Sequence, residues 1–214
     1  VEIFEPLSDD VCISAISEPS SSACLTSTEA VNLSIFNQGS LTQSSIPVAV
    51  QVTGPINSGL LRDTLNSNLT SGNQVNFNFG STVDLSATGS YTIRAWTELN
   101  SDQDVSNDTF EVVVNSIAPI SSFPWTEDFE GFSLCGNSNN CNLNCSGAVN
   151  NNWIQDNGDQ QDWRVDEGAT ASANTGPSQD YDPGTTNGKY IYTEASGGCD
   201  LQTMNIISPC FDLN

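Results

Sequence analysis

The sequence predicts an all-β chain that folds as two small sandwich domains. Apolar residues alternate with polar ones in residues 31–35, 46–52 and 75–79, and this period of two belongs to strands with one buried face. Gly, Pro, Asn and Ser interrupt the apolar segments at short intervals, and no segment shows a helical period. A chain of 214 residues with 36% hydrophobic residues fits two modest β cores better than a single large one.

The first predicted domain covers residues 1–117 and contains the alternating segments. Its predicted strands are residues 11–16, 31–35, 46–52, 60–65, 75–79, 91–95 and 110–114. Six or seven short strands at this spacing are typical of an immunoglobulin-like sandwich. The loop with Asp102, Asp104 and Asp108 offers carboxylates to a cation. It lacks the glycine and the terminal Glu of a calcium loop, so a solvated turn is favoured.

Residues 118–122 are the predicted linker, and residues 123–214 are the second predicted domain. Pro119 within the linker and Pro124 just after it limit its flexibility. In the second domain, Asp180 and Asp182 lie on a loop that leads to Asn187-Gly188. This dipeptide predicts a tight turn with positive φ at both residues, followed by a strand over residues 189–195.

Seven cysteines and no histidine predict disulfides and an oxidising, extracellular location. The C-x5-C-x3-C spacing in the second domain matches no common zinc site. Cys12 and Cys24 flank one loop, which predicts a disulfide between them; the alternative is two buried free thiols. The five cysteines of the second domain cannot all pair with one another, so one is expected to be free or bonded beyond residue 214. The disulfide candidates are Cys12, Cys24, Cys135, Cys141, Cys145, Cys199 and Cys210.

The charge balance excludes several classes of partner. Four Lys and Arg residues stand against 26 Asp and Glu residues, which gives a net charge of -22. Such a chain repels phosphate backbones and anionic headgroups, so neither nucleic acid nor a membrane surface is an expected partner. No apolar run approaches the roughly 20 residues of a membrane-spanning helix, so membrane insertion is not expected.

Catalysis is disfavoured because the chain has no histidine, which rules out Ser-His and Cys-His nucleophile pairs. A carboxylate pair for glycoside hydrolysis remains open. The candidates are Asp128, Glu130, Asp162, Asp166 and Asp180. For sugar binding, Trp96 and Trp153 are the expected exposed aromatic residues, whereas Trp125 and Trp163 are expected in the core.

Several blocks of the second domain occur in the order found in one known family. They are Asp128-Phe129-Glu130, Asp162-Trp163-Arg164, Thr175-Gly176-Pro177-Ser178 with Asp180, Gly188 to Ser196, and Ser208-Pro209. This stretch resembles the MAM domain, named from meprin, A5 antigen and receptor phosphatase mu, although the family's usual His after the loop aspartate is Tyr181 here.

The resemblance implies an extracellular β jelly roll of which this chain holds only the N-terminal half. The domain is then expected to be completed by residues beyond 214 or by a neighbouring subunit. The resemblance also implies a structural calcium ion held by Asp128, Glu130, Asp180 and Asp182. The alternative is that Asp128 and Asp180 cap turns through backbone N–H groups.

The first domain, with Thr28-Glu29-Ala30-Val31 and Gly89-Ser90-Tyr91, resembles immunoglobulin-like modules of Bacteroidetes surface proteins and the bacterial cell-adhesion-related sandwich family. Together, the two resemblances imply noncatalytic adhesive or structural modules of a large secreted or cell-surface protein that forms filaments or arrays. The alternative is a pair of accessory modules of a secreted peptidase or glycosidase. The expected partners are other domains or subunits of the same surface protein, with glycans or surface proteins as further candidates.

Overall fold

The computed structural model describes residues 7–20, 24–138, 140–141, 143–156, 158–172 and 175–213. These residues form strands, turns and loops but no helix, so the predicted all-β class is confirmed. The chain divides into two compact units, Val1–Ala118 and Pro119–Asn214. Across the described ranges, no helix has the length and apolar character needed to cross a bilayer.

The first unit is a two-sheet antiparallel sandwich. Its strands are β1 (Val11–Glu18), β2 (Asn32–Asn37), β3 (Ile46–Thr53), β4 (Gly59–Leu65), β5 (Gln74–Asn78), β6 (Gly89–Thr97) and β7 (Thr109–Ser116). One sheet has the order β1-β2-β5 and the other β4-β3-β6-β7. Each predicted strand overlaps an observed one, and the predicted immunoglobulin-like sandwich is confirmed.

The apolar alternation decides which side chains enter the core. On β3, Val48, Val50 and Val52 are buried, and on β2 Leu33 and Ile35 are fully buried. Full burial of such a side chain contributes about 1.5–3 kcal/mol, so these rows supply much of the stability of the sandwich.

Tyr91 fixes the start of β6. Its side chain is fully buried, and its hydroxyl donates a hydrogen bond of 2.9 Å to the carbonyl of Ala87, four residues upstream. This arrangement is the tyrosine corner of immunoglobulin-like sandwiches, which anchors the connection that enters the strand.

The second unit is built from short antiparallel ribbons. Its strands are β8 (Ile154–Gln155), β9 (Arg164–Glu167), β10 (Lys189–Tyr192) and β11 (Ile206–Ile207). β9 pairs with β10 and β8 with β11, and each pair is a separate two-stranded sheet. Ile120, inside the predicted linker, forms a parallel bridge with Phe211. The jelly roll therefore stays a prediction, because the described ribbons do not form its two large packed sheets.

A small core and disulfides hold the second unit together. Phe132, Ala148 and Val165 are buried against Cys145. The disulfides Cys135–Cys145 and Cys141–Cys199 cross-link the surrounding loops. Cys210 is disulfide-bonded as well, and so, in the first unit, is Cys24.

The predicted Cys12–Cys24 disulfide is wrong, because Cys12 is a free, buried thiol. Cys12 lies within β1 and faces Phe36 of β2 in the pairing register, and its Sγ accepts a hydrogen bond of 3.3 Å from Gln38 Nε2. Burial raises the pKa of this thiol, which keeps it protonated and unreactive. The cysteine left over in this chain is thus Cys12, and not one of the five in the second unit.

Candidate functional site

The segment 128–130, predicted to bind a cation, is a tight turn held by acidic side chains. Glu127 Oε1 accepts a hydrogen bond of 3.0 Å from the Phe129 amide, and Asp128 Oδ1 accepts one of 3.0 Å from the Glu130 amide. Phe129 has a φ of 63°, which is rare for a bulky residue. Its ring lies 5.5 Å from the ring of Phe132. Asp128 therefore caps a turn, as the alternative to calcium binding proposed.

Lys189, the only lysine of the chain, joins this turn to β10. Its backbone amide donates to Glu130 Oε1 at 2.7 Å, and its Nζ donates to the carbonyls of Glu130 at 2.9 Å and Phe132 at 2.6 Å. One Glu130 carboxylate oxygen is therefore already engaged. The ammonium group places a positive charge beside the predicted ligands.

Asp180 is the best placed of the four predicted ligands. Its side chain is 6% exposed, and its Oδ1 accepts a hydrogen bond of 2.7 Å from the Thr185 amide. Its Oδ2 is buried without a hydrogen-bond partner among the described residues. A buried carboxylate oxygen without a partner is costly, so this oxygen is suited to a cation.

Gly188 provides the space for that carboxylate. A Cβ on Gly188 would lie 2.2 Å from Asp180 Cγ, which no side chain can tolerate without displacing Asp180. The predicted turn with positive φ at Asn187-Gly188 is wrong, because neither residue has positive φ. Close packing against Asp180 explains the glycine instead.

Asp182 is exposed. It lines a small cavity of about 150 Å³ together with Asp128, Tyr181 and Lys189. The structure thus brings Asp128 and Asp182 to one cavity. Within the part of the chain that the structure describes, no three Cys, Asp or Glu side chains are close enough to hold one metal ion. Calcium binding stays a prediction, supported chiefly by the Asp180 carboxylate.

Sequence reasoning missed the role of Arg164, which is fully buried at the start of β9. Its guanidinium donates to the backbone carbonyls of Ser138 and Asn140 and lies 6.0 Å from the centre of the Tyr192 ring. The guanidinium group thereby holds the loop between Cys135 and Cys141 against the ribbon formed by β9 and β10. In the sequence, Arg164 appears only as an arginine that follows Trp163 near the start of a strand. This pattern does not predict that its side chain is buried.

The other carboxylates considered for glycoside hydrolysis also have structural contacts. Asp162 Oδ2 accepts a hydrogen bond of 2.6 Å from the Cys145 amide. Asp166 on β9 is 5% exposed, and burial raises its pKa. Its cross-strand neighbour Tyr190 has its pKa raised to about 12, mainly by burial and secondarily by the charge of Asp166.

Two tryptophans depart from their predicted environments. Trp153, expected to be exposed, packs against the core of the second unit with its ring 6.3 Å from that of Phe129. Trp125, expected in the core, is only partly buried and lies 5.0 Å from the ring of Phe211.

Three of the solved structures that are similar to this chain show likenesses of limited extent. A cell-surface protein domain from Methanosarcina acetivorans has a TM-score of 0.38 and 23% identity, and covers 52% of this chain and 94% of that one. The CARDB domain of a Pyrococcus furiosus protein has a TM-score of 0.40 and 17% identity, and covers 52% and 97%. A crystal structure of that CARDB domain in complex with di-metal ions has a TM-score of 0.35 and 17% identity, and covers 54% and 97%. At these TM-scores the likenesses support no statement about ligands or function.

Comparison with protein families gives a defined match in the second unit. Residues 128–214 match the model of the MAM domain, meprin/A5/mu. The match begins at Asp128, in the turn that Lys189 ties to β10, and includes both described ribbons and the Asp180 loop. Over residues 128–214, the second unit of this chain is therefore similar to the MAM domain, as the order of its sequence blocks predicted.

Proposed function

We propose that this chain is a pair of noncatalytic modules with an adhesive or structural role in a large secreted or cell-surface bacterial protein. The MAM match over residues 128–214 carries the proposal. The disulfides support it, because six of the seven cysteines are bonded, which is typical of proteins that work outside the cell.

The absence of histidine from the sequence supports a noncatalytic role. The acidic side chains of the second unit accept backbone hydrogen bonds at Asp128, Asp162 and Asp180, so they act as turn caps. A general acid or base needs a proton-transfer role that this arrangement does not supply.

The test of this function measures adhesion and hydrolysis with the same protein. Beads coated with the full chain are passed under shear over alginate, pectin, cellulose, chitin and collagen, and the released reducing sugars and amines are measured. We expect retention on at least one surface, no hydrolysis, and loss of retention after reduction and alkylation of the disulfides. Hydrolysis of any of these polymers, or absence of retention on all of them, would contradict the proposal.

We also propose that the second unit binds one structural calcium ion, with the carboxylate of Asp180 as its main ligand. Asp180 supports this proposal through its buried, unpartnered Oδ2 and the space left beside it by Gly188. The bound ion would supply the positive charge that this carboxylate lacks.

Calcium removal is therefore expected to lower the melting temperature of the second unit. A ligand that binds only the folded state at 100 times its Kd adds about 2.7 kcal/mol of stability, which corresponds to a shift of several degrees. Differential scanning calorimetry in calcium and in chelator measures the shift. Asp180→Asn is expected to abolish it, whereas the control Asp104→Asn in the first unit is expected to leave it unchanged. An identical melt in both buffers, with no calcium by elemental analysis, would refute the site.

A further inference from the structure

The four basic residues of this acidic chain are distributed very unevenly. Arg164 is fully buried, and Lys189 donates its ammonium protons to two backbone carbonyls of the second unit. The other two, Arg62 on β4 and Arg94 on β6, are exposed. Both side chains point away from the core, because the inward positions of the sheet are occupied by residues such as Val50. The exposed positive charges therefore lie on one face of the four-stranded sheet.

We call this surface the arginine face and define it by Arg62, Arg94, Trp96, Glu98 and Glu111. Arg62 Nε lies 2.8 Å from Glu98 Oε2, and Arg94 Cζ lies 5.5 Å from the centre of the Trp96 ring. Arg94 also faces Glu111 across the strand pair. The two arginines balance the two glutamates, so the face is neutral on a chain of net charge -22.

Trp96 and the arginines give this face the composition of an interface core. Ala49 between them is 0% exposed, because its cross-strand neighbours Arg62 and Trp96 close over it. Leu60, on the same face, is 44% exposed. Tryptophan and arginine are the residues that most often dominate binding energy in protein interfaces.

One end of the same sandwich has the opposite character. We call it the aspartate end and define it by Asp9, Asp10, Asp102, Asp104 and Asp108. Asp102 Oδ2 accepts a hydrogen bond of 2.8 Å from the Val11 amide, which joins the loop after β6 to the start of β1. The exposed Asn100 and Val105 flank these acids on the loop.

The negative charge of the aspartate end is not offset locally. The pKa of Asp108 is raised to about 6, mainly by burial and further by the charges of Asp102, Asp10 and Asp104. Its Oδ1 is buried without a hydrogen-bond partner among the described residues. Over the described ranges, the one ion pair is that of Arg62 with Glu98. A positively charged side chain brought to this end by a partner would therefore relieve the repulsion.

We propose that the arginine face of one chain docks on the aspartate end of a second copy, in a head-to-tail contact. This proposal rests on the structural role proposed above, because it names another copy of the chain as the partner. Two strongly acidic molecules repel each other less where one surface has no net negative charge, and this face meets that condition. It also presents Arg94, an exposed cation that forms no ion pair among the described residues. Because the two surfaces differ, the contact is heterologous and leaves a free face and a free end, so it can propagate into an array.

Sedimentation velocity of the full chain tests the contact. At about 50 mM salt the mean mass is expected to rise with protein concentration, and at about 500 mM salt the protein is expected to be monomeric, because screening weakens contacts between exposed charges. Arg94→Glu is expected to be monomeric in both buffers. The control Ser27→Glu with Thr28→Glu makes the same change in net charge at the opposite end of β1, and is expected to associate as the unmodified chain does.

A complementation experiment identifies the two surfaces. Asn100→Lys with Val105→Lys places two positive charges at the aspartate end without removing a carboxylate, and this variant alone is expected to be monomeric because the lysines repel Arg94 of the partner copy. Mixed with Arg94→Glu, it is expected to form a 1:1 complex. The arginine face of the lysine variant and the aspartate end of the Arg94→Glu variant are both intact and can dock, whereas the other two surfaces are altered and cannot extend the complex. A mixture that stays monomeric, an Arg94→Glu variant that associates normally, or an unmodified chain that is monomeric at low salt would overturn the proposal. A monomeric chain that binds polygalacturonate through Arg94 would overturn it in favour of an acidic glycan.

Adhesion is measured separately, on polymer surfaces, so failure of self-association leaves the adhesion result standing. A chain that associates but adheres to none of the polymers would contradict the proposed adhesive function and leave the head-to-tail contact intact.

Discussion

Replacing Cys141 and Cys199 with serine is expected to lower the free energy of unfolding of the second unit by about 4 kcal/mol. The disulfide closes a loop with a sequence separation of 58, and a cross-link restricts the unfolded chain more when the loop is longer. The unit has a small apolar core and depends on such cross-links, as small secreted domains generally do. Chemical denaturation monitored by tryptophan fluorescence measures the loss, since Trp125, Trp153 and Trp163 all lie in this unit.

The second disulfide provides a graded comparison. Cys135 and Cys145 have a sequence separation of 10, so their replacement by serine is expected to cost about 3 kcal/mol, less than the longer loop. Cys12→Ala in the first unit removes no disulfide, and the transition of the second unit should not change. If the short-loop variant were clearly less stable than the long-loop variant, loop entropy would not be the main contribution.

Arg164→Met is expected to destabilise the second unit by about 3 kcal/mol or more. The guanidinium is fully buried and donates to the carbonyls of Ser138 and Asn140. Methionine fills much of the volume but removes both hydrogen bonds from the charged guanidinium, and a hydrogen bond to a charged group contributes about 1.5–3 kcal/mol. Denaturant unfolding of the variant measures the loss.

Arg164→Lys separates charge from geometry. Lysine keeps the positive charge but lacks the planar fork that reaches two carbonyls at once, so an intermediate loss is expected. The exposed Arg94→Met serves as the matched control, and its effect on stability should stay within about 0.5 kcal/mol. Equal losses for buried and exposed arginines would show that Arg164 does not hold the loop.

Much of the first unit could be predicted because strand formation follows a local pattern. Val48, Val50 and Val52 recur with a period of two, and any sheet that buries one face of this segment buries these three side chains. The blocks around Asp128 and Asp180 were recognisable for a similar reason, since each is a short contiguous motif.

Other features depended on which segments approach each other. Asn187-Gly188 has the composition of a tight hairpin turn, yet Gly188 is required by the Asp180 carboxylate, which packs where a Cβ would lie. The contact spans only a few residues of sequence, but its geometry follows from how the whole loop folds back on β10. Residue type and spacing do not contain that information.

The sequence by itself determined the all-β class, the positions of the sandwich strands and the MAM character of residues 128–214, because each follows from local periodicity or contiguous motifs. Only the tertiary structure decided that Cys12 stays free, that Arg164 is buried and that Arg62 and Arg94 share one face. Disulfide pairing, burial of a charge and the composition of a surface depend on distances between residues far apart in the chain. Those distances are set by the packing of the sheets and ribbons, which no single segment specifies.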